Sequence, residues 1–224
     1  MTRPCTVMVL AKAPAAGRSK TRCSPPCTLE QAAELAAAAL HDTLITVGAT
    51  PARRRVVVLD GPPGPWLPAG VQVVAQRGNG LDERLTAAFA DVGSPAILIG
   101  MDTPQVSTQL LAAAQNALCA GDTDAVLGPA EDGGYWLVGL RRADPAAFVG
   151  VPMSTTRTFD AQLTRLLERG HRVELLPRLR DVDIFADAVS VAATMPGTVF
   201  ARTVTRLALA TARADRAATA VVAS

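Results

Sequence analysis

Histidine is almost missing from this chain, standing only at positions 41 and 171, and the four cysteines, Cys5, Cys23, Cys27 and Cys119, form no paired C-x-x-C motifs. A zinc site draws its ligands from those residue types, so this shortage argues against one. Cys23 and Cys27 flank two prolines, and ordinary reduced thiols are expected there rather than a disulfide. No window approaches the ~18 apolar residues of a membrane span. The first apolar run is shorter than a signal-peptide core and has no small-residue cleavage site, so a soluble, cytoplasmic protein without membrane insertion is expected. An excess of either charge is also absent: 22 basic against 20 acidic residues leave a net +2. That balance excludes nucleic acid as the main partner and leaves a small anionic ligand open. Aromatic residues make up only 4%, with one tyrosine and two tryptophans.

What is present is apolar and periodic. With 224 residues, 49% hydrophobic and 19% charged, the chain can bury the core of one large domain. Its organising stretch is CTVMVLAKAPAAGRSKTR, residues 5–22. The run from Cys5 to Ala11 is too short for a typical helix and suits a central parallel strand buried on both faces. Behind it Pro14, Ala15, Ala16 and Gly17 let the backbone come close to a ligand, while Lys12, Arg18, Lys20 and Arg22 supply positive charge. Such a loop can wrap a phosphate, and a solvated basic loop is the plainer alternative.

Thr28 and Gln31 form a capping-box pattern that opens an Ala-rich helix over about 29–47. Strands follow at 54–60 and 71–75, a helix at 81–92, a strand at 95–100, a helix at 107–120 and a strand at 124–128. This alternation predicts a three-layer α/β domain with right-handed crossovers. Beyond it the pattern predicts helices at 155–169 and 186–193, a strand at 172–176 and a last helix at 198–216. One domain over 1–197 is expected, with 198–224 packed on it as a C-terminal helix and tail.

Asp102 directly follows a buried strand, where open parallel sheets place their ligands. Brought together with Asp183 beside the first loop, it would offer the oxygen ligands that a divalent cation shares with substrate phosphates. The alternatives are that Asp102 caps a turn and that Asp181 and Asp183 cap the helix behind them. In EDGGYW, Glu131, Gly133, Gly134 and Tyr135 read as the wall of an acceptor pocket and Asp132 as a general base, although a two-glycine turn accounts for the same residues.

The segments AKAPAAGRSKTR at 11–22, IGMDTP at 99–104, GPAEDGGYWLVGL at 128–140 and LRDVD at 179–183 occur in that order. Together they resemble the bacterial DUF2064 glycosyltransferase-like family, within the nucleotide-diphospho-sugar transferase superfamily. The resemblance implies a Rossmann-like, GT-A type fold with a mostly parallel sheet. It implies a nucleotide bound over the first loop, by Ala11, Lys12, Pro14, Gly17, Lys20 and Arg22 with Asp102, and a Mg²⁺ or Mn²⁺ held by Asp102 and Asp183. The chain departs from the family pattern at three places: Cys23 stands where leucine is usual, Met153 where tryptophan is usual, and Ile184, Phe185 and Ala186 precede the next acid, Asp187.

The expected function is metal-dependent glycosyl transfer from a nucleotide sugar to a small-molecule acceptor, with Lys20 and Asp132 as catalytic groups. The alternatives are nucleotidyl transfer from a nucleoside triphosphate to a phosphorylated acceptor, which releases pyrophosphate, and a non-catalytic nucleotide-binding domain. A monomer and a homodimer both fit the sequence.

Overall fold

The structure, a computed structural model, describes residues 5–119 and 122–222. The expected helix end at Ala120 and the last two residues of the expected tail lie outside the described residues. In chain order the elements are β1 (Thr6–Lys12), α1 (Leu29–Ala49), β2 (Arg54–Asp60), β3 (Gln72–Ala75), α2 (Leu81–Val92), β4 (Ala96–Gly100), α3 (Thr108–Cys119), β5 (Ala125–Pro129), β6 (Tyr135–Leu140), α4 (Thr158–Glu168), β7 (Val173–Leu175), α5 (Phe185–Thr194) and α6 (Val199–Val222).

Seven strands form one sheet in the order β3-β2-β1-β4-β6-β5-β7. β1 pairs parallel with both β2 and β4, which places the first apolar run inside the sheet as its spacing predicts. β6 runs antiparallel to both β4 and β5, so the sheet is mostly parallel with one reversed strand. Alternate residues of the inner strands bury on opposite faces. Val7, Val9, Val57, Ile97 and Ile99 pack on the side of α1 and α3, and Met8, Val56, Val58 and Leu98 on the side of α2. Both faces are covered, which is why these strands are continuous apolar runs without polar alternation.

α1 is buried on two sides. Ala36, Leu40 and Leu44 face the sheet, while Ala32, Leu35 and Ala39 meet Phe200, Val204 and Leu207 of α6. A helix enclosed in this way needs small and apolar residues all round, the physical use of its alanine content. Thr28 caps it as expected, accepting from Gln31 N at 3.2 Å while Gln31 Oε1 accepts from Thr28 N at 2.9 Å. The buried Asp42 of α1 accepts from Phe200 N at 2.7 Å and so anchors the start of α6 on the same body.

α4 begins at Thr158 rather than 155. The hydroxyl of Thr158 accepts from Thr155 N at 3.0 Å and donates to Pro152 O at 2.8 Å, and these bonds hold the preceding residues in a turn. Among the described residues no helix is long and apolar enough to cross a membrane. Among the described residues none of the four cysteines is in a disulfide, and burial pushes the pKa of Cys5 up to about 12 and that of Cys23 to about 11.

Candidate active site

Parallel strands that end at the same edge present their following loops to one place, and here β1 and β4 bring the 13–24 loop beside Met101 and Asp102. Their junction opens into a cavity of about 420 Å³. Of the residues singled out from the sequence, Ala11, Lys12, Lys20, Arg22, Asp102, Tyr135 and Asp183 line it. Five cationic side chains of the wall, from Lys12, Arg18, Lys20, Arg22 and Arg84, stand against two carboxylates of the wall, Asp102 and Asp183, and against Asp60, which lies 3.6 Å from Arg18 and 3.7 Å from Arg84. The balance favours an anionic guest.

The first loop is folded on itself. The amides of Arg18 and Ser19 both donate to Ala15 O at 3.1 Å, and Ser19 Oγ accepts from Ala15 N at 3.3 Å. Those three amides are therefore spent within the loop. Pro14 and Gly17, with Gly17 at φ +73°, shape this turn and stand back from the cavity wall. The turn delivers Lys20 in the left-handed region, at φ 50° and ψ 36°, which a lysine rarely adopts. From there its nearly buried ammonium donates to the Asp102 carboxylate and to Val182 O. Arg22, one turn on, donates to Asp183 Oδ2 at 2.6 Å.

The 177–183 segment carries this late acid into place. Leu179 N donates to Pro129 O at 3.1 Å, Glu131 N donates to Leu179 O at 2.9 Å, and Val182 N donates to Asp102 O at 2.9 Å. Glu131 is held by Arg180 at 2.7 Å, away from the cavity wall. The capping alternatives for the acids are not realised. Asp102 turns to Lys20, and Asp187, not Asp181 or Asp183, accepts the amide of Ile184 at 3.0 Å at the start of α5.

The acidic turn behaves differently from a ligand wall. Gly133, at φ +89°, would bring a Cβ to 2.1 Å from Thr156 O, so the backbone that comes close to it is the protein's own. Asp132 Oδ1 accepts from Gly134 N at 2.7 Å in the alternative two-glycine turn, and Asp132, Gly133 and Gly134 stand outside the cavity wall. Tyr135 lines the cavity, but its hydroxyl points to Gln162 Oε1 at 3.2 Å, and burial pushes its pKa up. Trp136 is a core residue whose indole N–H donates to Pro177 O at 3.0 Å.

Asp181, read from the sequence only as part of an acidic pair, is raised to about 7 by burial and then by the charges of Asp132 and Asp102. The charges of Asp102, Asp132 and Asp183 all act on Asp181 here. Among the described residues no three His, Cys, Asp or Glu side chains stand close enough to hold a metal ion unaided. Gln76 and Arg84 were also not singled out. Gln76 Nε2 joins the ends of β1 and β2 through Ala11 O at 2.8 Å and Val58 O at 3.0 Å, and its Oε1 accepts from Arg84 at 3.3 Å. Gln76 follows the end of β3 much as Asp102 follows β4, so the rule that pointed to Asp102 could have found it.

Residues 29–155 match the model of a family described as an uncharacterized protein conserved in bacteria, DUF2064. The chain belongs to this family. The DUF2064 match leaves out the first loop and the 177–183 segment, whose place at the site comes from the fold. Among solved structures the chain is similar to a protein from Desulfovibrio desulfuricans G20, provisionally named a nucleotide-diphospho-sugar transferase. The two are 26% identical over 96% of each chain, with a TM-score of 0.79. It is also similar to a CMP-2-keto-3-deoxy-manno-octonic acid synthetase complexed with CTP, at 13% identity over 86% of this chain and 98% of that one, with a TM-score of 0.53. A nucleotidyl transferase from Methanothermobacter thermautotrophicus matches at 15% identity, over 89% of this chain and 99% of that one, again with a TM-score of 0.53. No curated protein matches the chain. The DUF2064 chain therefore has the fold of nucleotide-diphospho-sugar and nucleotidyl transferases.

Proposed function

We propose that this protein is a metal-dependent transferase that takes a sugar from a nucleotide sugar and passes it to a hydroxyl of a small-molecule acceptor. The observation that carries this reading is the meeting of Lys20, Arg22, Asp102 and Asp183, from three distant segments, on one net-cationic cavity at the ends of β1 and β4. The likeness to the Desulfovibrio desulfuricans protein over nearly the whole chain supports it.

The donor set suits Mg²⁺ or Mn²⁺. It consists of carboxylates alone, the hard oxygen ligands such a cation prefers. With no third such side chain in place among the described residues, Asp102 and Asp183 would hold the cation together with substrate phosphates, the usual arrangement for magnesium. Such a cation, when bound, neutralises charge that develops on a diphosphate leaving group.

The chain's own groups do the rest. Lys12, Lys20 and Arg22 bind the phosphates, with Arg22 suited to bidentate contact. As the bond to the sugar breaks, charge grows on the phosphate oxygens, and Lys20 donates most strongly there at that moment. The acceptor enters past Tyr135, which lines the cavity at the end of the acidic turn, and Asp132 behind it takes the proton of the attacking hydroxyl through the oxygen not committed to Gly134.

A thermal-shift and product screen tests this, using nucleotide sugars, nucleoside diphosphates and nucleoside triphosphates, each with and without Mg²⁺ or Mn²⁺. Stabilisation by a nucleotide sugar with metal, and release of a nucleoside diphosphate, is the expected result. Consumption of triphosphate with release of pyrophosphate would replace it with nucleotidyl transfer. No shift with any nucleotide, and an Asp102→Ala variant indistinguishable from wild type, would overturn both.

A further inference from the structure

Lys20 is the least exposed of the cationic groups whose ion pairs line the cavity, with 8% of its side chain accessible, whereas its partner Asp102 is 55% exposed. The asymmetry has a consequence. Asp102 can lose its partner and be solvated by water, but a buried ammonium that loses its carboxylate needs another anion. Its two acceptors among the described residues are the Asp102 carboxylate and Val182 O, so it sits between the two acidic segments that would hold a metal. It is also held there by the backbone. Lys20 is pinned in the left-handed region, and Cys23 N donates to Lys20 O at 2.9 Å.

We propose that in the ligand-free protein Lys20 occupies the place of the divalent cation on Asp102 and releases that carboxylate only when substrate phosphate arrives to take the ammonium. The inference rests on the metal-dependent reading above and adds an order of events to it. Lys20 and the metal compete for one carboxylate. Phosphate gives Lys20 a new anion, so metal and nucleotide assist each other's binding, and by linkage the assistance is mutual and equal. Free protein is thereby kept from filling its site with metal alone. The exposed pair of Arg22 and Asp183, with side chains 74% and 50% accessible, presents no comparable obstacle because water competes with it freely.

The test is a Mn²⁺ titration without nucleotide, with free Mn²⁺ followed by its paramagnetic resonance, on wild type, Lys20→Asn, Lys20→Arg and the Lys20→Asn/Asp102→Asn double variant. Asparagine tolerates the left-handed backbone and removes the charge, and Lys20→Arg keeps the charge. Lys20→Asn is expected to bind Mn²⁺ about tenfold more tightly than wild type, a typical size for coupling between sites. Lys20→Arg should show no such gain, and the double variant should lose it. A second series adds uridine, cytidine or guanosine diphosphate, corrected for Mn²⁺ held by the nucleotide in buffer alone, and should tighten wild type far more than Lys20→Asn. If wild type binds Mn²⁺ with nucleotide but Lys20→Asn gains nothing without it, the exchange is wrong and the metal site stands. A gain that survives in the double variant also overturns the exchange. If no protein binds Mn²⁺ in either series, the metal-dependent reading falls as well.

Discussion

Arg22 and Asp183, 161 residues apart in the chain, meet at 2.6 Å at the mouth of the cavity. Both side chains are more than a third exposed, so the pair adds little to stability, of the order of 0–1 kcal/mol. Replacing Arg22 by alanine is expected to leave the urea midpoint nearly unchanged and to weaken nucleotide-diphosphate binding about tenfold or more, the loss expected for a charge-assisted contact. Titration calorimetry beside a denaturation curve checks this. A large loss of stability with intact binding would make the pair structural.

Asp132 has two roles that one substitution separates. Asparagine retains a side-chain oxygen to accept from Gly134 N, so the turn is expected to survive Asp132→Asn with its melting temperature unchanged. Without a base, kcat should fall by about 10²–10⁴. Unchanged kcat would remove Asp132 from the chemistry.

Gly133 is fixed by its neighbour rather than by a ligand. A Cβ at this position combines a positive φ with a 2.1 Å approach to Thr156 O, and the backbone on both sides is tied down because Phe159 N donates to Gly133 O at 2.8 Å. Gly133→Ala is expected to cost more than about 2 kcal/mol and to lower Tm by at least ~5 °C. Calorimetry measures it directly, and an unchanged Tm would mean that the 154–157 turn yields easily.

Acid stability has an identifiable contributor at the far edge of the sheet. Asp124 is lowered to about 2, first by the side-chain hydrogen bond from Arg172 and then by the Arg172 amide, with Nε at 2.9 Å and N at 3.1 Å. A pKa below the unfolded value of about 3.9 means that the ionised form stabilises the fold above that pH, and the contribution is lost as pH falls toward 2. The gap in urea midpoint between wild type and Asp124→Asn should be present at neutral pH and close as the medium is acidified through that window. A gap that stays constant with pH would assign the effect to packing.

Most of the elements were legible, β6 excepted. The capping box at Thr28, the doubly buried strand over 6–12 and the helix over 81–92 follow from local rules, because each depends on groups a few residues apart. The α4 start was misplaced by three residues, since the bonds of Thr158 to Thr155 and Pro152 compete with the helix ladder. Asp102 was legible from its position after a strand. Asp181 was not, because its raised pKa comes first from burial and then from the charges of Asp132 and Asp102, and both depend on segments distant in sequence.

The sequence by itself determined most of the strands and helices, though not β6, and that basic and acidic groups flank the strand ends. Periodicity, caps and glycines act within a turn or two, and such short-range physics can be read along a line. Only the tertiary structure decided that β6 inserts antiparallel between β4 and β5, that α1 is enclosed by α6, that Gly133 makes room for Thr156, and that Lys20 meets Asp102. Those outcomes depend on burial and on charges that meet from distant parts of the chain, and no local pattern encodes the distance between them.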